Sequence, residues 1–147
     1  MNDEKGDTMA TKDDFTEEEW KTIQKGVTGA GLLVSIGDKD FSDSFGEAGA
    51  LAKYLAEQRD RNASGLMREV AHVHGSGFGF TASQEEVETE TAAALRSAVA
   101  TLGAKAPEDV PAYRQLVLGV AETVAEAKGG VKPGETAAIE KIEEAMA

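Results

Sequence analysis

Between positions 37 and 47 the chain reads GDKDFSDSFGE, which places Asp38, Asp40, Asp43 and Glu47 on one short stretch. Carboxylate oxygens are the ligands that hard divalent cations prefer, so a metal-binding turn is the first chemistry this spacing suggests. Asp38, Asp40 and Ser42 even occupy the first, third and fifth places of a calcium-binding EF-hand loop. The sixth place holds Asp43 instead of glycine, however, and the twelfth holds Gly49 instead of a bidentate glutamate, so the pattern is not an EF-hand. The plainer alternative is that Asp38 ends one helix, Asp43 or Ser44 caps the next, and the acids face water.

Other chemistries find less support. His72 and His74 stand two apart, which on a helix turns them by about 200°, so they chelate together only where the helix has unwound. His74 shares the phase of Met67 and Val70 and reads as a histidine at the edge of the core. Gly75, Gly77 and Gly79 lack the preceding strand and the adjacent lysine of a phosphate loop, and read as a turn that folds Phe78 and Phe80 back over the core. No cysteine, no serine, histidine and acid set and no metalloprotease histidine pair is visible, and the 27 acids make carboxylate proximity uninformative. We expect a non-enzymatic protein.

A net charge of -12 on 147 residues repels phosphate backbones and argues against a nucleic-acid partner. The absence of cysteine excludes disulfides and thiolate metal sites and fits a reducing compartment. No run approaches the roughly 18 apolar residues of a membrane span, and the acidic start lacks the features of a signal peptide. The expectation is a soluble cytoplasmic protein. Residues 1–14, MNDEKGDTMATKDD, have little to bury and read as a disordered acidic leader to one domain over residues 15–147.

Helical periodicity accounts for the rest. Thr16 and Glu19 have capping-box spacing, and Trp20, Ile23, Val27, Ala30 and Val34 form a stripe, with Gly26, Gly29 and Gly31 predicting a bend or split near Gly29. A second helix presents Ala48, Leu51, Ala52 and Leu55, and a third presents Leu66, Met67, Val70 and Val73 and stops at Gly75. Ser83 and Glu86 open a fourth, with Val87, Thr91, Ala94, Leu95, Ala98 and Leu102 inward. A fifth carries Tyr113, Leu116, Val117, Val120, Val124 and Ala127, and a sixth, starting at Pro133, buries Ala138, Ile139, Ile142 and Met146. The fold class is all-α, one bundle of about six helices.

VSIGDKDFSDSFGEAGAL, from Val34, and VAEAKGGVKPGETAAI, from Val124, share a layout: a helix end, a polar turn with one apolar residue (Phe41, Val131), and a new helix near a glutamate (Glu47, Glu135). Two such units suggest a pseudo-twofold repeat. In this layout the chain, over about residues 20–146, resembles the tellurite-resistance TerB-like domain family. That family's motif runs alanine, aspartate, glycine, any residue, an apolar residue, a few polar ones, then glutamate. Asp38 matches the aspartate, Lys39 stands where glycine is usual, Phe41 and Ser42 take the apolar and polar places, and Glu47 follows after a two-residue insertion. In the second copy Ala127, Gly129, Val131 and Glu135 match, while Lys128 replaces the aspartate.

The resemblance implies an all-helical stress-response protein, associated with tellurite resistance, with an acidic surface that binds a divalent cation of unspecified identity. Asp38, Glu47 and Glu135 would be its ligands, with Asp40 and Asp43 as auxiliaries. Lys128 departs from that pattern: its ammonium could pair with Asp38 or Glu47 and replace the ion. The competing expectation is a metal-free module whose acids meet a protein partner.

Overall fold

The computed structural model describes residues 10–37, 44–73, 83–127 and 133–147. Helix α1 (Glu17–Gly37) begins at the expected capping box, where the Thr16 N–H donates to Glu19 Oε1 at 2.9 Å and the Glu19 N–H donates to Thr16 Oγ1 at 3.1 Å. Then follow α2 (Ser44–Arg61), α3 (Gly65–Val70), α4 (Gln84–Lys105), α5 (Val110–Ala127) and α6 (Pro133–Ala145), with 3-10 turns at Lys12–Asp14 and Pro107–Asp109. The described residues contain no strand, so the architecture is the all-α bundle expected. None of its helices is long and apolar enough to cross a membrane.

Two successive helix pairs, α1–α2 and α5–α6, pack across each other: α2 lies mainly on α5 and α6 mainly on α1, while the two members of each pair touch one another much less. α1 is central: it packs most extensively on α4 and also on α5 and α6. Trp20, Ile23, Val27, Ala30, Leu33 and Val34 are buried along it, and the apolar core is one connected cluster from Phe15 to Met146.

The predicted split at Gly29 does not occur: α1 runs unbroken through its glycines. They mark close approach instead. A Cβ at Gly26 would run into the Tyr113 hydroxyl and stand 2.9 Å from Leu95 Cδ2; one at Gly29 would meet the Thr91 side chain; one at Gly31 would lie 3.1 Å from Val120 Cγ1. Each glycine costs ~1 kcal/mol of helix propensity. Here that cost is offset by letting α4 and α5 pack against the α1 backbone.

Two smaller expectations also change. Ala52 is exposed, and Tyr54 turns toward the core instead, its ring against Gly119 of α5. An alanine has little surface to gain from burial, whereas a tyrosine ring has much, and α5 leaves a gap at Gly119 that the ring fills. Helix α3 stops at Val70, with the Ala71 N–H donating to Met67 O at 3.0 Å, several residues before Gly75. Its start is fixed by Ser64, whose Oγ accepts the Met67 N–H and donates to Asp109 Oδ1 at 2.8 Å.

Residues 10–14, assigned to the leader on composition, form a short strap. Lys12 Nζ lies 5.9 Å from the Trp20 ring centroid, and Phe15 and Trp20 pack with centroids 5.8 Å apart. Lys105 closes the strap from the end of α4, donating to the Asp14 carbonyl at 3.0 Å and to Glu19 Oε1 at 2.6 Å. The Lys105 hydrogen bond, aided by the Thr16 N–H, holds the Glu19 carboxyl below its ordinary pKa. Residues 1–9 of the expected leader lie outside the described residues.

Candidate functional site

Two of the acids singled out by sequence fall within described helices. Glu47 falls in the opening turn of α2 and Glu135 in that of α6. Asp38, Asp40 and Asp43 lie outside the described residues, as do Lys128, His74 and the glycine loop with Phe78 and Phe80. Among the described residues no group of three or more histidines and acids stands close enough to hold a metal ion. His72 is exposed, and its carbonyl accepts a hydrogen bond from Gln24 Nε2 at 2.9 Å.

The described residues do form a cavity of about 220 Å³ where α4 and α6 meet α1. Helical spacing explains its wall: Glu88, Thr91, Ala92, Leu95 and Arg96 recur at intervals of three and four along one side of α4. α1 contributes Leu33, and α6 contributes Lys141, Ile142 and Glu144. The floor is apolar (Leu33, Ala92, Leu95, Ile142) and the rim is charged.

The rim charges are not equivalent. Lys141 Nζ donates to Glu88 Oε1 at 2.7 Å, and Gln84 Nε2 donates to the other carboxylate oxygen at 3.2 Å. The Lys141 hydrogen bond is the main reason the Glu88 carboxyl sits below its ordinary pKa, with partial desolvation opposing it. Arg96 and Glu144 line the same cavity, and neither side chain makes a hydrogen bond or ion pair among the described residues. In the wall Thr91 is fully buried, and its hydroxyl has no hydrogen-bond partner among the described residues. Thr91 Oγ1 packs against Gly29 of α1.

Sequence periodicity places Thr91, Leu95 and Ile142 inward and gives no sign that Glu88, Arg96, Lys141 and Glu144 come together. The one local sign was Thr91, a polar residue in an otherwise apolar stripe. With this geometry in hand, comparison with known proteins adds no relative: no family model, curated protein or solved structure matches the chain.

Proposed function

We propose that this chain is a non-enzymatic, intracellular, TerB-like stress-response module whose two motif turns together take a divalent cation through Asp38, Glu47 and Glu135, with Asp40 and Asp43 in support. The observation that carries this reading is the crossed packing of the two helix pairs. Each pair opens its second helix with a motif glutamate and lays that helix on the first helix of the other. A bundle assembled from two related units has this form, and the repeat is the basis of the resemblance. The donor set is all carboxylate, which fits a hard cation, while Lys128 supplies a competing positive charge.

Thermal unfolding of chelator-stripped protein with calcium, magnesium, manganese or zinc tests it. An ion at a hundred times its Kd stabilises the native state by ~2.7 kcal/mol. At this size that raises the midpoint by roughly 5–10 °C. The reading requires that rise with one of the ions and its loss in Asp38→Ala; no rise with any of them removes the metal.

One observation favours a second reading, a metal-free module for a basic protein partner. Glu122 and Glu126 on α5 and Glu140 and Glu143 on α6 are exposed and unpaired among the described residues. Association that weakens steeply with added salt, and is unaffected by chelator, supports this alternative.

A further inference from the structure

We infer that the cavity between α1, α4 and α6 binds a small zwitterion with an apolar side chain, of the class of aliphatic α-amino acids, its carboxylate on Arg96 and its ammonium on Glu144. The inference involves none of the motif acids and stands apart from the cation reading. Size restricts the guest first. About 220 Å³ is room for several waters, at roughly 30 Å³ each, and falls below the ~300–1,000 Å³ of pockets for drug-sized ligands.

Charge restricts it further. Of the four lining charges, Glu88 and Lys141 neutralise each other at 2.7 Å and close one side of the mouth. Arg96 and Glu144 remain, opposite in sign and each without a partner among the described residues. Arginine presents a planar fork of donors that matches a carboxylate in two-point contact. A plain carboxylic acid would satisfy Arg96 but bring a negative charge up to Glu144; a plain amine would do the converse. A zwitterion satisfies both, and its net charge of zero adds nothing to a rim that is already balanced. Leu33, Ala92, Leu95 and Ile142 offer the guest's side chain apolar surface, which favours an aliphatic group, and Thr91 stands in the same wall.

Amide chemical shifts of the full chain, titrated with L-leucine, provide the test. L-leucinamide, which lacks the carboxylate, and 4-methylpentanoate, which lacks the ammonium, serve as the paired controls. The expected result is saturable shifts at Ala92, Leu95 and Ile142 with leucine, and binding at least about tenfold weaker for either control, the cost of one charge-assisted contact. Arg96→Gln and Glu144→Gln should each weaken leucine by a similar factor. Arg96 and Glu144 are exposed, so both variants keep the fold, which their unshifted spectra elsewhere would verify. Absence of saturable shifts overturns the inference. So does equal binding of all three compounds, which marks an apolar pocket only, or 4-methylpentanoate binding as well as leucine, which marks a carboxylate site. Leucine affinity unchanged in both variants overturns it as well.

Discussion

The hydroxyl of Tyr113 donates to the carbonyl of Ile23 at 2.7 Å, in the space that Gly26 leaves on α1. Ninety positions separate donor and acceptor, and the tyrosine is fully buried, so this bond fixes how α5 sits on α1. Tyr113→Phe should lower unfolding free energy by about 1 kcal/mol, measured by chemical denaturation. Gly26→Ala should destabilise more, although alanine is the better helix former, because its methyl group has to displace that hydroxyl. Gly103 on α4 is the control: no atom stands within 4 Å of its missing Cβ, and Gly103→Ala should stabilise by up to ~1 kcal/mol.

Alkaline pH should act through the same residue. Burial pushes the Tyr113 phenol well above its ordinary value of 10.0, and desolvation, reinforced by Glu122 and Glu57, raises Tyr54 in the same direction. A group whose pKa is raised by folding binds its proton more tightly in the native state. Its contribution is therefore complete below pH 10 and falls as pH rises above that value. Denaturation midpoints taken from pH 8 upward should decline beyond about pH 10, and Tyr113→Phe should decline less steeply.

On the other side of α5, Tyr54 and Gly119 form a matched pair. A Cβ at Gly119 would overlap the Tyr54 hydroxyl and stand 2.6 Å from its Cζ. Gly119→Ala should destabilise by roughly 1–3 kcal/mol, as overpacking does. In a Tyr54→Ser background the same substitution should cost much less, and the double-mutant cycle should show coupling of at least about 0.5 kcal/mol. Additive effects would mean that the two helices do not meet there.

Thr91 makes the opposite forecast. Its buried hydroxyl has no partner among the described residues, so Thr91→Val, which exchanges that hydroxyl for a methyl group of similar shape, should stabilise by about 1 kcal/mol. A higher denaturation midpoint with an unchanged slope would confirm it; a lower midpoint would show that the hydroxyl is paired in solution.

How much of this was legible in the sequence follows from the range over which each feature is determined. The Thr16–Glu19 and Ser83–Glu86 boxes involve residues three apart, and both form as read. The stripe Val87, Thr91, Ala94, Leu95, Ala98 and Leu102 is likewise buried as its period requires. Gly26, Gly29 and Gly31 were misread because their meaning is set by Tyr113, Thr91 and Val120, which lie far along the chain and arrive only on folding. The phase of α2 was blurred by alanine: Ala52 mimics an inward face that Tyr54 in fact shares with Leu55. The cavity was invisible because three helices contribute to it, and no local pattern distinguishes Arg96 and Glu144 from solvent-facing charges.

The crossed helix pairs also set a timetable. During synthesis α1 emerges early, yet the helices that cover it, α4, α5 and α6, are all made later. At about 5–20 residues per second, α1 waits roughly 5–20 seconds for the last of them. Until then Trp20, Ile23, Val27 and Val34 have no complete set of neighbours, so the stripe that ends at the centre of the molecule is the one a chaperone has longest to hold.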